Sequence, residues 1–183
     1  LGFNKDLLVV IDINTGKARS NFEAVKNEMA KIPAVKNVSV TSRVPGEWKS
    51  FRTIKIKNTG SGDDPKVAYM FGADKDFAKT FEVQLLKERN FGNLSDSSSI
   101  IINETAAKIF GFPRPADILG QYIDGSGFHC QVIGVVKDYH RESLRYSFDP
   151  IVFYLQEERG FENFSLKLST TNLTALMDFV KQK

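Results

Sequence analysis

Asp138, His140 and Glu142 alternate along one segment. On an extended strand they would share a face, and a metal site needs carboxylate and imidazole ligands that converge in that way. The plainer reading is a solvated strand end. Ser143 follows and completes the residue types of a nucleophile, a base and an orienting acid. No G-x-S-x-G elbow surrounds it, so residue types alone make no hydrolase. His129 and Cys130 are neighbours, and neighbouring strand residues point to opposite faces. Gly16-Lys17 is followed by Ala18 and lacks the upstream glycine and the Ser/Thr of a phosphate loop. Gly125-Ser126-Gly127 reads as a hairpin turn. No catalytic, cofactor-binding or metal residue is therefore assigned, and the chain is expected neither to bind nor to hydrolyse ATP. Trp48, the single tryptophan, is expected to fold back partly onto the core. Phe51 and Phe91 are expected in the core. Any of the three, if exposed, becomes a contact for a partner or cargo.

The elements that would position these residues follow from periodicity. Leu7 to Ile13 is a buried strand by its apolar run. Asn14 to Lys17 is a turn. Ser20 with Glu23 offers a capping box for a helix whose face carries Phe22, Val25, Met29 and Ile32, and Pro33 ends it. Val35 to Val40 alternates as a second strand. Phe51 to Asn58 predicts a strand with Ile54 and Ile56 on one face and Thr53, Lys55 and Lys57 on a solvated basic face. Lys66 to Phe71 returns. Asp74 or Asp76 starts a short helix bearing Phe77 and Phe81, and Val83 to Leu86 is a short apolar piece. The Ser-rich stretch from Phe91 to Ser99 is a loop or boundary.

A longer block then begins. Ile100 to Ile102 is a strand by its β-branched residues. Asn103 caps the next helix, and Gly111 stops it in the left-handed region. Ile118 to Ile123 and Cys130 to Val136 are apolar, and Asp149-Pro150 precedes Ile151 to Tyr154. Phe164 to Ser169 alternates. Thr170 or Thr171 caps a last helix carrying Leu173, Leu176, Met177 and Val180. The first and last strands are each followed by a helix with an apolar stripe. Neither pair can bury its stripe alone, so the two strands are expected in one sheet.

The chain has 183 residues, enough for one domain or two small units with a core of their own. A net charge of +3 with scattered basic residues gives no argument for nucleic acid or an anionic membrane. The one cysteine, Cys130, excludes an internal disulfide and reads as a small buried hydrophobe. No apolar run approaches the roughly 20 residues that span a bilayer, and the start lacks the regions of a signal peptide.

The ordered series IINETAAKIFG, ILGQYI, VIGVVKDYHRESL and PIVFYL, with the opening LGFNKDLLVVI, resembles the extracytoplasmic (periplasmic) core domain of MacB/FtsX-type ABC transporter permeases. The resemblance covers nearly the whole chain and implies an α+β fold of two lobes. Residues 1–89 and 150–183 would form a porter-like lobe, an open sheet with packed helices. Residues 90–149 would form the small β-rich insert called Sabre. A membrane helix would precede Leu1 and several would follow Lys183. The family's last strand would lie beyond Lys183, leaving one sheet edge uncovered. The implied function is non-catalytic: coupling cytoplasmic ATP-driven motion to export or signalling outside the bacterial inner membrane, with a hinge where two chain crossings join the lobes. The implied partners are a cytoplasmic ATPase subunit, a second permease copy in a dimer, and a periplasmic or outer-membrane protein, with no nucleic acid. The alternative from another class is a stand-alone extracytoplasmic ligand-binding or sensory module, which a preformed, mostly apolar pocket would support.

Overall fold

Both ends of the chain feed one small sheet. The computed structural model describes residues 8–45, 51–58, 62, 64–92, 94–125, 127–139, 148–156 and 160–169. Strand β1 (Leu8–Asp12) pairs antiparallel with β10 (Asn163–Leu168), which pairs antiparallel with β2 (Val35–Thr41). The expectation that the first and last strands share a sheet is thus met by direct pairing. Helices α1 (Gly16–Ser20) and α2 (Phe22–Ala30) connect β1 to β2. Phe22, Val25, Met29 and Ile32 pack with Val38, Val40, Phe164 and Leu166 in one apolar cluster, as the helical spacing predicts. The capping box is corrected. Thr15 caps the preceding α1, accepting a hydrogen bond from the Ala18 N–H at 3.1 Å, and α2, which carries the predicted face, starts at Phe22 after Asn21 without a side-chain cap. Ser20 ends α1, and its hydroxyl donates to the Gly16 carbonyl at 3.0 Å.

The middle of the chain closes on itself. Strands β3 (Arg52–Asn58), β4 (Lys66–Ala73), β6 (Ser99–Asn103), β7 (Tyr122–Gly125), β8 (Phe128–Val136) and β9 (Ile151–Leu155) pair in the order β4-β3-β7-β8-β6-β9, and β9 returns to β4. The ring is a mixed barrel. Alternation along each strand sorts the side chains into two clusters. Ile56, Ala68, Met70, Ile100, Ile102, Ile123, Cys130, Val132 and Val152 belong to the inner one. Phe71, Ile101, Ile133, Ile151 and Phe153 belong to the outer one. Val132 and Val135 both face inward because β8 slips register against β6 between Ile100 and Ile101, and such a bulge turns a strand by one residue.

Helix α4 (Glu104–Ile109) closes the barrel, with Ala106, Ala107 and Phe110 in the inner cluster. Asn103 caps it as expected. Its Oδ1 accepts from the N–H groups of Ala106 at 3.1 Å and Ile151 at 2.8 Å, and its amide donates to the Asp149 carbonyl at 2.8 Å. Gly111 sits at φ +88, the left-handed stop. On the outside, helix α3 (Phe77–Thr80) lays Phe77 and Phe81 against Phe71 and Phe153, and β5 (Leu85–Glu88) pairs with β8.

The architecture is α+β. Strand pairing does not break at residues 89/90 or 149/150. The expected insert supplies β6, β7 and β8, and these pair with β9, β3 and β5 of the flanking segments. The reason is geometric: a closed ring needs every strand edge paired, and the insert alone does not supply enough strands. Among the described residues the single strand pair that joins the terminal sheet to the barrel is Thr41 with Ala73.

Candidate functional site

The flagged residues that the structure describes have structural occupations. Asp138 accepts from the Thr105 N–H at 2.9 Å and from its hydroxyl at 2.8 Å, while its own N–H donates to Glu104 at 3.0 Å. These bonds fasten the start of α4 to the end of β8. His140, Glu142, Ser143 and Trp48 lie outside the described residues, as does the predicted last helix. Cys130 points into the barrel and is 6% exposed, and burial pushes its thiol pKa up. His129, on the opposite face, is exposed. It stacks on Tyr122 with centroids 4.9 Å apart and pairs with Asp124 at 2.6 Å. Phe51 and Phe91 are buried core residues, as expected. Among the described residues no three His, Cys, Asp or Glu side chains gather as a metal site would require.

Polar side chains converge instead where the terminal sheet meets the barrel. The chain crosses between the two units after β2 and again before β10, and both crossings are tied to the end of β4. The Ser42 N–H donates to the Gly72 carbonyl, and the Gly72 N–H donates to the Ser42 hydroxyl, each at 2.9 Å. The Gln156 N–H donates to Ala73 at 3.1 Å, and the Glu162 N–H donates to Thr41 at 3.0 Å. Arg43 pairs with Glu162 across the two crossings. The Gln156 side chain lies between two glycines. A Cβ on Gly72 would stand 2.2 Å from its Oε1, and one on Gly160 would stand 2.0 Å from its Nε2. A side chain at either position would displace the glutamine.

Asp74, at the end of β4, is the hub of this junction. Its carboxylate accepts from the Ser39 hydroxyl at 2.8 Å, the Val40 N–H at 3.0 Å and Lys26 of α2 at 2.5 Å. Lys26 also reaches Asp76. Burial raises the Asp74 pKa, and Lys26, Ser39 and the Val40 N–H pull it back. Burial works to lower the Lys26 pKa, but Asp74 and Asp76 outweigh it, and it ends above the usual lysine value. Beside this group opens a cleft of about 580 Å³, walled by Phe22, Glu23, Lys26 and Asn27 on α2 and by Asp74 to Asp76 opposite. Leu155, Gln156 and Phe161 complete it. Charged and apolar groups share its lining, so it is not the mostly apolar pocket that a dedicated small-ligand site favours.

Behind the hub lies a buried polar layer. The face of the terminal sheet turned away from α2 carries Ser39, Thr41, Asn163 and Ser165, none more than 1% exposed. Thr80 of α3 is fully buried as well, and α3 packs on β2 and β10. Lys167 of β10 pairs with Glu82, just past α3. The hydroxyls of Thr41, Thr80 and Ser165 and the amide nitrogen of Asn163 find no partner among the described residues. Alternation along β2 and β10 marks these residues as one face. It does not say that α3 covers that face, which is why sequence reasoning missed it.

The profile of the MacB-like periplasmic core domain family matches residues 3–177. No curated protein matches the chain. Among solved structures, the periplasmic region of MacB from Actinobacillus actinomycetemcomitans is similar at 14% identity, with TM-score 0.61 over 98% of this chain and 82% of that one. The extracellular domain of the ABC-type transporter YknZ from Gram-positive bacteria is similar at 14% identity, with TM-score 0.60 over 91% of this chain and 86% of that one. A domain of a protein described as a permease, from Porphyromonas gingivalis, is similar at 18% identity, with TM-score 0.63 over 98% of this chain and 86% of that one. Among the described residues no helix is long and apolar enough to cross a membrane.

Proposed function

We propose a non-catalytic, motion-transmitting role for this chain, which belongs to the MacB-like periplasmic core domain family and is an extracytoplasmic segment of an ABC transporter permease. In this reading, ATP binding by a cytoplasmic subunit moves the permease's membrane helices, and the domain carries that motion to export or signalling outside the membrane. The partners are that ATPase, a second permease copy, and a periplasmic or outer-membrane protein. The observation that carries the reading is the junction. Two differently built units share a single strand pair among the described residues, and both chain crossings converge on it. Such a junction is where a domain hinges. Nucleotide state can move it only if the membrane helices deliver a free-energy difference between its positions.

The test is a lock. Thr41 and Ala73 face each other across an antiparallel pair, where Cα atoms are about 4.5–5.5 Å apart, within the range a disulfide bridges. The double variant Thr41→Cys/Ala73→Cys is made in the intact permease after Cys130→Ala. Oxidation is expected to abolish transport or signalling while the partner's ATP binding survives, and reduction is expected to restore it. Full activity with the cross-link complete would contradict the role and leave the domain a static docking surface.

A second reading has one observation in its favour. The cleft's volume falls in the range of small-molecule sites, which suits a ligand-binding or sensory module. A metabolite library that raises the melting temperature of the wild type, but not of Asn27→Trp, would favour it.

A further inference from the structure

We infer that the segment from Asp74 to Glu82, with α3 at its centre, is a latched slide: it travels with the barrel, and the terminal sheet slips over its polar face when the ion pairs at its two ends and the Asp74 bonds to Ser39 and Val40 open. The segment has two unlike sides. Phe77 packs on Phe71 and Phe153 of the barrel with ring centroids 4.9 and 5.3 Å apart, and Phe81, 5.0 Å from Phe77, joins the same outer cluster. Interdigitated rings at interior density resist sliding. Toward the terminal sheet the segment presents Thr80 to the buried hydroxyl and amide layer of β2 and β10. Short polar groups can exchange one partner for another or for water without a knob having to climb out of a hole. The hydroxyls of Thr41, Thr80 and Ser165 find no partner among the described residues, so each gains a hydrogen bond from water when the layer opens.

The two ends of the segment are gripped from the terminal half. Lys26 of α2 holds Asp74 and Asp76 at its start, and Lys167 of β10 holds Glu82 at its finish. Glu82 sits at φ 52, the single non-glycine residue with positive φ among the described residues. That conformation is the left-handed stop of α3, closed by the Val83 N–H on the Ala78 carbonyl at 2.9 Å, and it places the Glu82 carboxylate on Lys167. Long charged side chains can re-pair after a small displacement, so they act as detents and not as welds. The slide rests on the motion-transmitting reading only for its link to nucleotide.

Thiol accessibility in the intact permease, in membranes with its ATPase, tests this. Thr80→Cys in a Cys130→Ala background reports the polar layer, and native Cys130 in the otherwise unchanged permease reports the barrel interior. The probe is a membrane-impermeant maleimide. Breaking the latch with Lys26→Met/Lys167→Met is expected to speed labelling at position 80 about tenfold and to leave Cys130 labelling unchanged. The exchanged pair Glu82→Lys/Lys167→Glu, which restores opposite charges, is expected to return position 80 to its slow rate. Position 80 indifferent to the latch variants, or Cys130 accelerating in step with it, overturns the slide. A latch effect that stands while labelling ignores the nucleotide state of the ATPase supports the slide and overturns the coupling reading alone.

Discussion

The barrel interior and the layer under α3 are both buried, yet they are built from opposite materials. Inside the barrel, Ile56, Ile100, Ile102, Ile123 and Val152 are fully buried and pack together in one apolar cluster. Under α3, Ser39, Thr41, Thr80, Asn163 and Ser165 are as deeply buried, and several polar atoms there find no partner among the described residues. An apolar core gains from every contact it keeps. A polar layer gains little from staying closed, because water offers the same hydrogen bonds. One polypeptide thus sets an apolar, closed ring beside a polar layer whose contacts water can replace.

The largest effect should come from opening a cavity in the closed ring. Ile102→Ala removes a fully buried side chain from the ring and is expected to cost about 2–5 kcal/mol, read as a fall in the urea midpoint with unchanged slope. Close backbone approaches come next. A Cβ at Gly134 would stand 2.6 Å from the Arg89 carbonyl oxygen, whereas one at Gly72 meets only the Gln156 side chain. Gly134→Ala is expected to lose about 1–3 kcal/mol. Gly72→Ala should lose less and be rescued by adding Gln156→Ala, since a side chain can be removed and a backbone carbonyl cannot. Loss of rescue would mean that Gln156 is not what the alanine strikes.

The smallest effect carries the opposite sign. Thr80→Val exchanges an unpartnered buried hydroxyl for a methyl group. It is expected to be neutral or to stabilise by up to about 1 kcal/mol in the same unfolding measurement. A loss of about 2 kcal/mol or more would show the hydroxyl to be well bonded, and the contrast between barrel and layer would weaken.

Much of the barrel was legible in the sequence and its closure was not. Ile54 and Ile56 alternate with Lys55 and Lys57, and the structure puts the isoleucines with the inner cluster and leaves Lys55 exposed. Asn103 and Gly111 marked the ends of α4 because capping and left-handed backbone are local chemistry. Ring closure depends on β9 finding β4 and β7 finding β3, pairings that no local pattern encodes. The junction was least legible. Asp74 was visible as a helix start, but its work is to accept bonds from Ser39, Val40 and Lys26. Gly72 and Gly160 gave no sign that one glutamine side chain separates them.

The central claim is that the joint opens while the barrel stays shut, and amide hydrogen exchange reads both directly. The Ser42 and Asp74 N–H groups bond across the junction to Gly72 and Val40, and the Ile151 N–H bonds inside the barrel unit to Asn103. The account predicts that Ser42 and Asp74 exchange at least about tenfold faster than Ile151 under native conditions, through openings insensitive to low denaturant, while Ile151 exchanges only by global unfolding. Equal rates with equal denaturant dependence at all three would show one cooperative body without a joint, and would contradict it.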